Sequence, residues 1–214
     1  PRWFDASRRK MLGIAPAAPR VIVELGSFLG RSAAWFAQTW PQATVICIDH
    51  WQGNPEHQQL EHPDHRYVAQ LHDRCLANLW DYRRQIIPLQ TTTLAGLEEV
   101  AIAGVVPDLV YIDATHSTEA VYAEALRAHQ LFPSAVVVGD DFNFAEVSAG
   151  AAQLSKEGLP TAALPGTQVL WYLPRTAGTG TGRAIAMTLA GRPQYAAQVL
   201  TALSRCRRIE DYTV

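Results

Sequence analysis

Short apolar segments rich in valine and isoleucine alternate along this chain with longer segments of helical periodicity. Five apolar segments predict strands that are buried on both faces, at residues 21–26, 44–49, 86–90, 108–113 and 135–140. Helices are predicted at residues 32–39, 65–82, 93–103 and 117–131. Parallel strands need crossover connections, so strands that alternate with helices build a parallel sheet with helices on both faces. The pattern predicts an α/β fold with a doubly wound, mostly parallel sheet.

The C-terminal part of this sheet is predicted to close with an antiparallel hairpin. A helix over about residues 145–157 precedes two short apolar segments, 161–164 and 169–173, which are joined around Pro165 and Gly166. A Rossmann-like domain is therefore expected over residues 21–175. We expect residues 1–20 to form an N-terminal helical extension, and residues 176–214 to form a linker and a C-terminal helix.

The composition fits one domain and excludes several classes of protein. Of the 214 residues, 48% are hydrophobic and 18% are charged, and the formal net charge is −2. These values are typical of a globular protein with a buried core. The densest basic group is only Arg205, Arg207 and Arg208, so no nucleic-acid partner is expected. No segment has 18 consecutive apolar residues, so no membrane partner is expected either.

The cysteine residues bear on the cellular compartment. Cys47, Cys75 and Cys206 are widely separated and form neither a C-x-x-C pair nor a disulfide framework. This usage favours a reducing compartment. We therefore expect a cytoplasmic protein. The sequence is compatible with a homo-oligomer.

A long segment without periodicity follows the second predicted strand. Residues 50–65 contain two prolines and lie at the carboxyl end of that strand, where open α/β sheets bind their ligands. Long loops at such positions are often functional, so we predict a lid. His57, His62 and His65 have a spacing that metal ligands can have, but no helix or cysteine accompanies them. A lid with titratable imidazoles is favoured over a zinc site.

The turn after the first strand predicts a binding site for a nucleoside. Gly26 and Gly30 allow a tight turn and close approach to a ligand, and the next helix begins there. The spacing G-x-x-x-G, with Phe28 between the glycines, differs from the G-x-G-x-x-G of dinucleotide sites and disfavours a dehydrogenase. Asp49 ends the second strand, where an acid can bind ribose hydroxyls. The alternative is that the glycines serve helix–strand packing alone.

The motif E-x-G-x-x-x-G-x-S, followed by a strand that ends in I-D-H-W, resembles the cofactor half of class I S-adenosylmethionine-dependent methyltransferases. The resemblance covers roughly residues 21–173. It implies that Gly26 and Gly30 contact the amino-acid portion of the cofactor and that Asp49 binds its ribose. Trp51 would flank the adenine or anchor the lid. The other expected cofactor contacts are Glu24, Ser27, Ser32, His50, Thr92 and Asp113.

Three carboxylates are predicted to meet at neighbouring strand ends. Asp113 ends the fourth strand, and Asp140 and Asp141 end the fifth. Three such groups repel each other unless they are protonated or bind a cation. Their hard oxygen atoms favour Mg²⁺, Ca²⁺ or Mn²⁺, and we expect Mg²⁺. Alternatively, Asp140 and Asp141 cap the helix that follows Phe142, while Asp113 fixes a loop.

The same three acids resemble the metal site of the divalent-metal O-methyltransferases, including methyltransferase family 24. The catechol type of these enzymes has asparagine as its last ligand and lysine three positions after the first aspartate. This chain has Asp141 and His116 there, and it has Thr115 where sugar-modifying relatives often have an acid. The resemblance implies that His116 is the general base, since a neutral imidazole accepts a proton near pH 7. Otherwise His116 caps the helix from residue 117 or supports a metal ligand.

The sequence therefore predicts an enzyme that transfers the methyl group of S-adenosylmethionine to a hydroxyl of a small sugar-like or phenolic molecule, assisted by a divalent cation. The alternative is a nucleoside-binding Rossmann protein that does not transfer methyl groups, because fold alone does not prove function. The sequence does not identify the acceptor.

Overall fold

The computed structural model describes residues 8–163 and 170–173, and its centre is one mixed sheet. In this part of the chain the strands are β1 (Val21–Leu25), β2 (Thr44–Asp49), β3 (Ile86–Gln90), β4 (Leu109–Ile112), β5 (Val136–Gly139), β6 (Ala162–Ala163) and β7 (Trp171–Leu173). Their order across the sheet is β3-β2-β1-β4-β5-β7-β6.

The strand pairing confirms the predicted fold class. The five strands β1 to β5 pair in parallel, whereas β7 pairs antiparallel with β5 and with β6. The five predicted buried strands are all present, and each bound agrees within one residue. The connection of the predicted hairpin, residues 164–169, lies outside the described residues.

Alternating side chains of the strands divide the core into two layers. The helices are α1 (Arg8–Met11), α2 (Arg31–Thr39), α3 (Leu71–Asn78), α4 (Thr93–Ile102), α5 (Thr118–Leu131) and α6 (Ala145–Lys156). Val23 and Val110 face the layer that contains α4, α5 and α6. Ile22 and Leu109 face the opposite layer, with α2 and α3. Successive strand residues point to opposite faces, so both faces of the sheet are covered, and burial of each such side chain contributes about 1.5–3 kcal/mol.

The single helix predicted over residues 65–82 is wrong. The structure has a 3₁₀ helix at His65–Gln70, then α3, then a short 3₁₀ helix at Trp80–Tyr82. Helix stability in proteins comes mainly from packing of an apolar face. No residue of His65–Gln70 is buried, whereas Leu71, Cys75 and Leu76 of α3 are. The regular helix is therefore confined to the segment that packs on the sheet.

The terminal segments are described only in part. Within the N-terminal extension, α1 covers four residues and ends at Met11, which is fully buried. The predicted linker and C-terminal helix over residues 176–214 lie outside the described residues, as do residues 1–7. The division of the chain into these segments stays a prediction. None of the helices in residues 8–163 combines the length and apolar character needed to cross a bilayer.

Candidate active site

A cavity of about 790 Å³ opens at the carboxyl edge of the parallel strands. Its wall includes residues that follow each of β1 to β5, because parallel strands end at the same edge of a sheet. Ten of the predicted site residues line it, and eight of them are Gly26, Ser27, Ser32, Asp49, His50, Thr92, Asp113 and His116. Asp140 and Asp141 line it as well. Glu24, Gly30 and Trp51 do not appear in this wall.

The turn after β1 approaches the end of β4 so closely that only glycine fits. Gly26 has a φ of 86°, and a Cβ atom there would lie 2.0 Å from the carbonyl oxygen of Asp113. Gly30 has a φ of 79° and precedes α2, and a Cβ there would overlap Leu79. Gly26 thus serves packing and also lines the cavity, whereas Gly30 serves the turn and packing. The cofactor contact predicted for Gly30 is not evident in the cavity wall.

The side chain of Glu24, in β1, accepts hydrogen bonds from the two serines of this turn. Its side chain is completely buried in β1, and its two carboxyl oxygens accept hydrogen bonds from the hydroxyls of Ser27 and Ser32. Burial raises the pKa of Glu24 to about 7, although both serine hydrogen bonds oppose this shift. Glu24 therefore positions two cavity-lining serines and lies behind the wall itself.

Asp49 at the end of β2 anchors two residues with left-handed backbone. Its Oδ2 accepts a hydrogen bond of 2.8 Å from the amide of Phe28, and its Oδ1 accepts one of 2.6 Å from the amide of Trp51. Phe28 has a φ of 46° and Trp51 a φ of 51°, which are costly for bulky side chains. The carboxylate thus fixes both turns that border the cavity, and it lines the cavity itself.

Trp51, predicted either to flank the adenine or to anchor the lid, lies outside the cavity wall. It is 4% exposed, its Nε1 donates a 3.0 Å hydrogen bond to the carbonyl oxygen of Phe28, and its ring packs on His72. An indole enclosed in this way is part of the core. His50, the residue before it, lines the cavity instead.

The three predicted acids do meet at the ends of β4 and β5. Asp140 is 7% exposed, and its Oδ2 accepts a 2.5 Å hydrogen bond from the hydroxyl of Tyr111. The same hydroxyl lies 3.4 Å from Asp113 Oδ2. Burial raises the pKa of Asp113 well above its ordinary value, and the negative charges of Asp140 and Asp141 raise it further. The cluster therefore carries charge repulsion that a bound cation would relieve.

His116 lies between two carboxylates at the mouth of this cluster. Its Nε2 is 3.1 Å from Asp141 Oδ2, without the direction of a hydrogen bond, and its Nδ1 is 3.8 Å from Glu56 Oε1. Its ring packs edge-on against Phe144. Asp141 is the main cause of a raised pKa of His116, and the charge of Glu56 adds to it. Among the described residues, Asp113, His116 and Asp141 offer ligand atoms that all lie within 4.8 Å of one another.

His116 does not cap α5, and Asp140 and Asp141 do not cap α6, so the alternative predictions that these residues are helix caps are wrong. The Ser117 hydroxyl caps α5 by accepting a 3.2 Å hydrogen bond from the amide of Ala120, so His116 does not cap it. Helix α6 begins after Phe144 without a side-chain cap, so neither Asp140 nor Asp141 caps it. The three acids and His116 are therefore available to the cavity.

The loop over residues 50–65 covers one side of the cavity and is attached to the loop after β4. Asn54 Nδ2 donates a 3.0 Å hydrogen bond to the carbonyl oxygen of Ala114. His57 and His62 line the cavity with ring centroids 4.9 Å apart, and burial lowers the pKa of His57. Among the described residues, His57, His62 and His65 belong to no group of three or more potential metal ligands.

Sequence reasoning missed four residues of this site. Asn54 and Glu56 reach the loop after β4 from residues 50–65, and Tyr111 supports Asp140 from within β4. Glu124 of α5 also lines the cavity although it is 3% exposed. One signal was present for Glu124, because it lies on the stripe of Val121, Ala125 and Ala128, whose side chains are buried. The other contacts depend on loop conformation.

Comparison with known proteins identifies the family. A family model described as a methyltransferase domain matches residues 23–142, more than half of the chain. No curated protein matches the sequence at a significant level.

Several solved structures are similar in fold. The O-methyltransferase from Bacillus cereus in complex with SAH has a TM-score of 0.56 and 15% identity, over 79% of this chain and 80% of that chain. The O-methyltransferase TomG from Streptomyces achromogenes, involved in tomaymycin synthesis and in complex with SAM, has a TM-score of 0.56 and 18% identity, over 80% of each chain. A TDP-rhamnose 3'-O-methyltransferase of calicheamicin biosynthesis has a TM-score of 0.51 and 19% identity, over 82% of this chain and 77% of that chain. The match to the family model, together with the Rossmann-like sheet, shows that this chain belongs to methyltransferase family 24 and is an S-adenosylmethionine-dependent methyltransferase.

Proposed function

We propose that this protein methylates a hydroxyl group of a small sugar-like or phenolic molecule and that a divalent cation assists the transfer. The observation that carries the proposal is the position of Asp113, His116 and Asp141, whose ligand atoms lie within 4.8 Å of one another in the wall of the cavity. The same cavity is bordered by the turn at Gly26 and by Asp49. Cofactor, cation and acceptor can therefore share one enclosed space.

The cofactor is assigned to the half of the cavity next to β1, β2 and β3. Ser27 and Ser32 lie in the cavity wall beside the start of α2, and the N-terminus of a helix favours a negatively charged group such as a carboxylate. Asp49 lies in the wall at the end of β2, and His50 and Thr92 lie beside it. The carboxylate of Asp49 would accept hydrogen bonds from the ribose hydroxyls, and its contacts with Phe28 and Trp51 hold it in place.

The donor set fits a divalent cation. Asp113 and Asp141 supply carboxylate oxygens, and Asp140 lies beside them with its carboxylate held by Tyr111 and by the amide of Asp141. Hard oxygen ligands favour Mg²⁺ or Mn²⁺, and a cation would compensate the repulsion that raises the pKa of Asp113. Asp113 and Asp141 would hold it, with Asp140 beside them. His116 belongs to the same 4.8 Å group, but an imidazole bound to the cation could not accept a proton, so we assign His116 the role of the base.

When bound, S-adenosylmethionine supplies the methyl group and the cation lowers the proton affinity of the acceptor hydroxyl. The contribution of the chain is to orient the acceptor oxygen and to remove its proton. His116 Nε2 faces Asp141, at the place where that oxygen would bind, and the negative charge of Asp141 makes the imidazole a stronger base. Asn54 and Glu56 line this side of the cavity, and closure of the proposed lid there would exclude water from the transfer.

The charge of the cavity favours an acceptor without phosphate groups. Among the described residues, six carboxyl side chains line it, whereas Arg31 is the single lysine or arginine in its wall. A phosphorylated acceptor would be repelled by such a surface. One structural relative is named as a TDP-rhamnose 3'-O-methyltransferase. The diphosphate of such an acceptor would need more basic residues than this cavity wall contains.

The proposal is tested by measuring S-adenosylhomocysteine formation with a panel of catechols, glycosides and their phosphorylated counterparts. We expect turnover with uncharged hydroxyl compounds in the presence of Mg²⁺, with products methylated at oxygen. Turnover restricted to amine, thiol or carbon acceptors would contradict the proposal. Binding of S-adenosylhomocysteine without turnover of any acceptor would instead support the alternative of a nucleoside-binding protein.

A further inference from the structure

Tyr111 is a buried polar side chain directly beside the proposed cation site. It lies in β4, is completely buried, and its ring packs edge-to-face against Phe36 with ring centroids 5.3 Å apart. Its backbone pairs with Glu24 of β1 on one side and with Val138 of β5 on the other. A fully buried ring in a close-packed core keeps one orientation, so the position of its hydroxyl group is fixed.

The hydroxyl of Tyr111 binds one acid of the cluster in preference to the other. It lies 2.5 Å from Asp140 Oδ2 but 3.4 Å from Asp113 Oδ2. A phenol has a single hydrogen to donate, and it keeps that hydrogen at neutral pH. The shorter distance therefore assigns the hydrogen to Asp140 rather than to Asp113.

Asp140 accepts a hydrogen bond from the protein at each of its carboxyl oxygens. Besides the bond from Tyr111 to Oδ2, the amide of Asp141 donates a 2.9 Å hydrogen bond to Oδ1. Asp140 is 7% exposed, whereas Asp141 is only partly buried and has a φ of 57°, which turns the chain away from the direction of β5. Among the described residues, the group of potential ligands within 4.8 Å contains Asp113, His116 and Asp141 but not Asp140.

We propose that Tyr111 is a positioning residue that keeps Asp140 out of the coordination of the cation, so that Asp113 and Asp141 are its carboxylate ligands. The inference rests on the proposed cation site. To become a ligand through Oδ2, Asp140 would have to give up a short hydrogen bond to a charged group, which is one of the stronger kinds. Mg²⁺ in proteins is usually held by one or two carboxylates and keeps other positions for water or substrate. Two carboxylate ligands therefore leave room for the oxygen of the acceptor.

The test is the affinity for Mn²⁺ alone, measured by calorimetry without acceptor in the wild type, Tyr111→Phe, Asp140→Asn and the double variant. Tyr111→Phe removes only the hydroxyl and releases Asp140 Oδ2. We expect it to bind Mn²⁺ about 10- to 100-fold more tightly, because a third carboxylate can join the cation without breaking a hydrogen bond to a charged group. The double variant should lose this gain, since asparagine lacks the charge. Damage to folding or packing would weaken binding, so a gain in affinity is a result that a merely structural role of Tyr111 would not give.

Turnover gives a second and opposite readout. With an acceptor that the wild type methylates, Tyr111→Phe should have a lower kcat, because Asp140 would then take a coordination position that the acceptor oxygen needs. Tighter binding of the cation together with slower turnover is the combination expected from the proposal.

Tyr122→Phe is the matched control. The hydroxyl of Tyr122 donates a 2.6 Å hydrogen bond to Glu157 Oε2 in an exposed position, so this change also removes a bond from a tyrosine to a carboxylate. It should bind Mn²⁺ like the wild type.

Unchanged or weaker Mn²⁺ binding by Tyr111→Phe would overturn the role of Tyr111 while the cation site stands. If Tyr111→Phe does not fold, the single variants decide. A loss of affinity in Asp140→Asn as large as that in Asp141→Asn would show that Asp140 is a ligand and would overturn the proposal, whereas a smaller loss supports it. Failure of the wild-type protein to bind Mn²⁺ would instead overturn the cation in the proposed function.

Discussion

Asn54 and Ala114 join two loops that are 60 residues apart in the chain, through a 3.0 Å hydrogen bond from the Asn54 side chain to the Ala114 carbonyl oxygen. Ala114 follows Asp113, and Glu56 reaches His116 on the same loop. The segment over residues 50–65 is therefore attached directly to the residues proposed for catalysis. Closure of a lid over them would exclude water from the transfer.

Loss of this link should loosen the lid. Asn54→Ala removes the hydrogen bond to Ala114 and the side-chain part of the capping box with His57. Each hydrogen bond is worth about 1 kcal/mol, so we expect kcat/KM to fall about fivefold or more. Limited proteolysis should cut residues 50–65 faster in the variant, and bound cofactor should slow the cut in the wild type. Leu60→Ala is the control, because Leu60 is 79% exposed in the same segment. Equal cleavage of free and cofactor-bound wild type would mean that the segment is a static surface loop.

Asp49→Ala should weaken S-adenosylhomocysteine binding at least tenfold in calorimetry. The change leaves the ribose hydroxyls without their acceptor and releases the amides of Phe28 and Trp51, which Asp49 now holds. Asp73→Ala makes the same chemical change at a side chain that is 83% exposed, and it should bind like the wild type. Circular dichroism checks that both variants fold. Unchanged affinity in Asp49→Ala would remove the ribose assignment.

Removal of the cation should stop turnover. Excess chelator should reduce activity by about 100-fold or more, and added Mg²⁺ should restore it, since a metal contributes several kcal/mol to such a step. Asp141→Asn should weaken Mn²⁺ binding, measured by calorimetry without acceptor, by about tenfold or more. Asp81→Asn, at an exposed aspartate, is the control. If the enzyme keeps full activity in chelator, the three acids have a structural role.

His116→Ala should lower kcat by about 10²–10⁴-fold, as expected for loss of a general base. The affinity for S-adenosylhomocysteine should stay near that of the wild type, because His116 lies beside Asp141 and Phe144, at the end of the cavity proposed for the acceptor. Higher pH should recover part of the rate, since hydroxide or an ionised acceptor replaces the base. His129→Gln, in the last turn of α5, is the control. A variant that keeps most of its turnover would show that the proton leaves by another route.

The buried acid Glu24 should make the protein less stable as the pH rises. Its pKa is about 7 in the folded chain and 4.5 when exposed, so the folded state holds this proton more tightly. The stability that it contributes is present below about pH 4.5 and is lost as the pH rises through 7, a difference on the order of 3 kcal/mol. Glu24→Gln cannot titrate. Urea unfolding at pH 5 and pH 8 should therefore show a smaller loss for Glu24→Gln than for the wild type.

Glu61→Gln, at an exposed glutamate, should behave like the wild type in the same urea experiment. The same pH dependence in wild type and Glu24→Gln would mean that Glu24 is already ionised in the folded protein at neutral pH. Its hydrogen bonds with Ser27 and Ser32 would then outweigh the cost of burial.

The sequence by itself determined the sheet and which residues meet at its edge. Strands buried on both faces are continuous apolar runs, so residues 21–26 and 44–49 were recognisable without any partner. The carboxyl ends of parallel strands share one edge, so Asp49, Asp113 and Asp140 had to end near one cavity. A tight turn at Gly26 was also predicted, because glycine has no Cβ, and the structure gives it a φ of 86°.

Only the tertiary structure decided what each side chain contacts at that edge. Trp51 turns into the core, and Asp140 is bound by Tyr111 from a neighbouring strand end. Glu124 lies opposite Thr93 because α5 packs on α4, a contact between residues 31 positions apart. Periodicity describes which face of an element is buried, but hydrogen bonds between elements depend on how loops place them in space. That is why the sequence predicted which residues lie at this edge of the sheet, whereas their hydrogen-bond partners came from the folded chain.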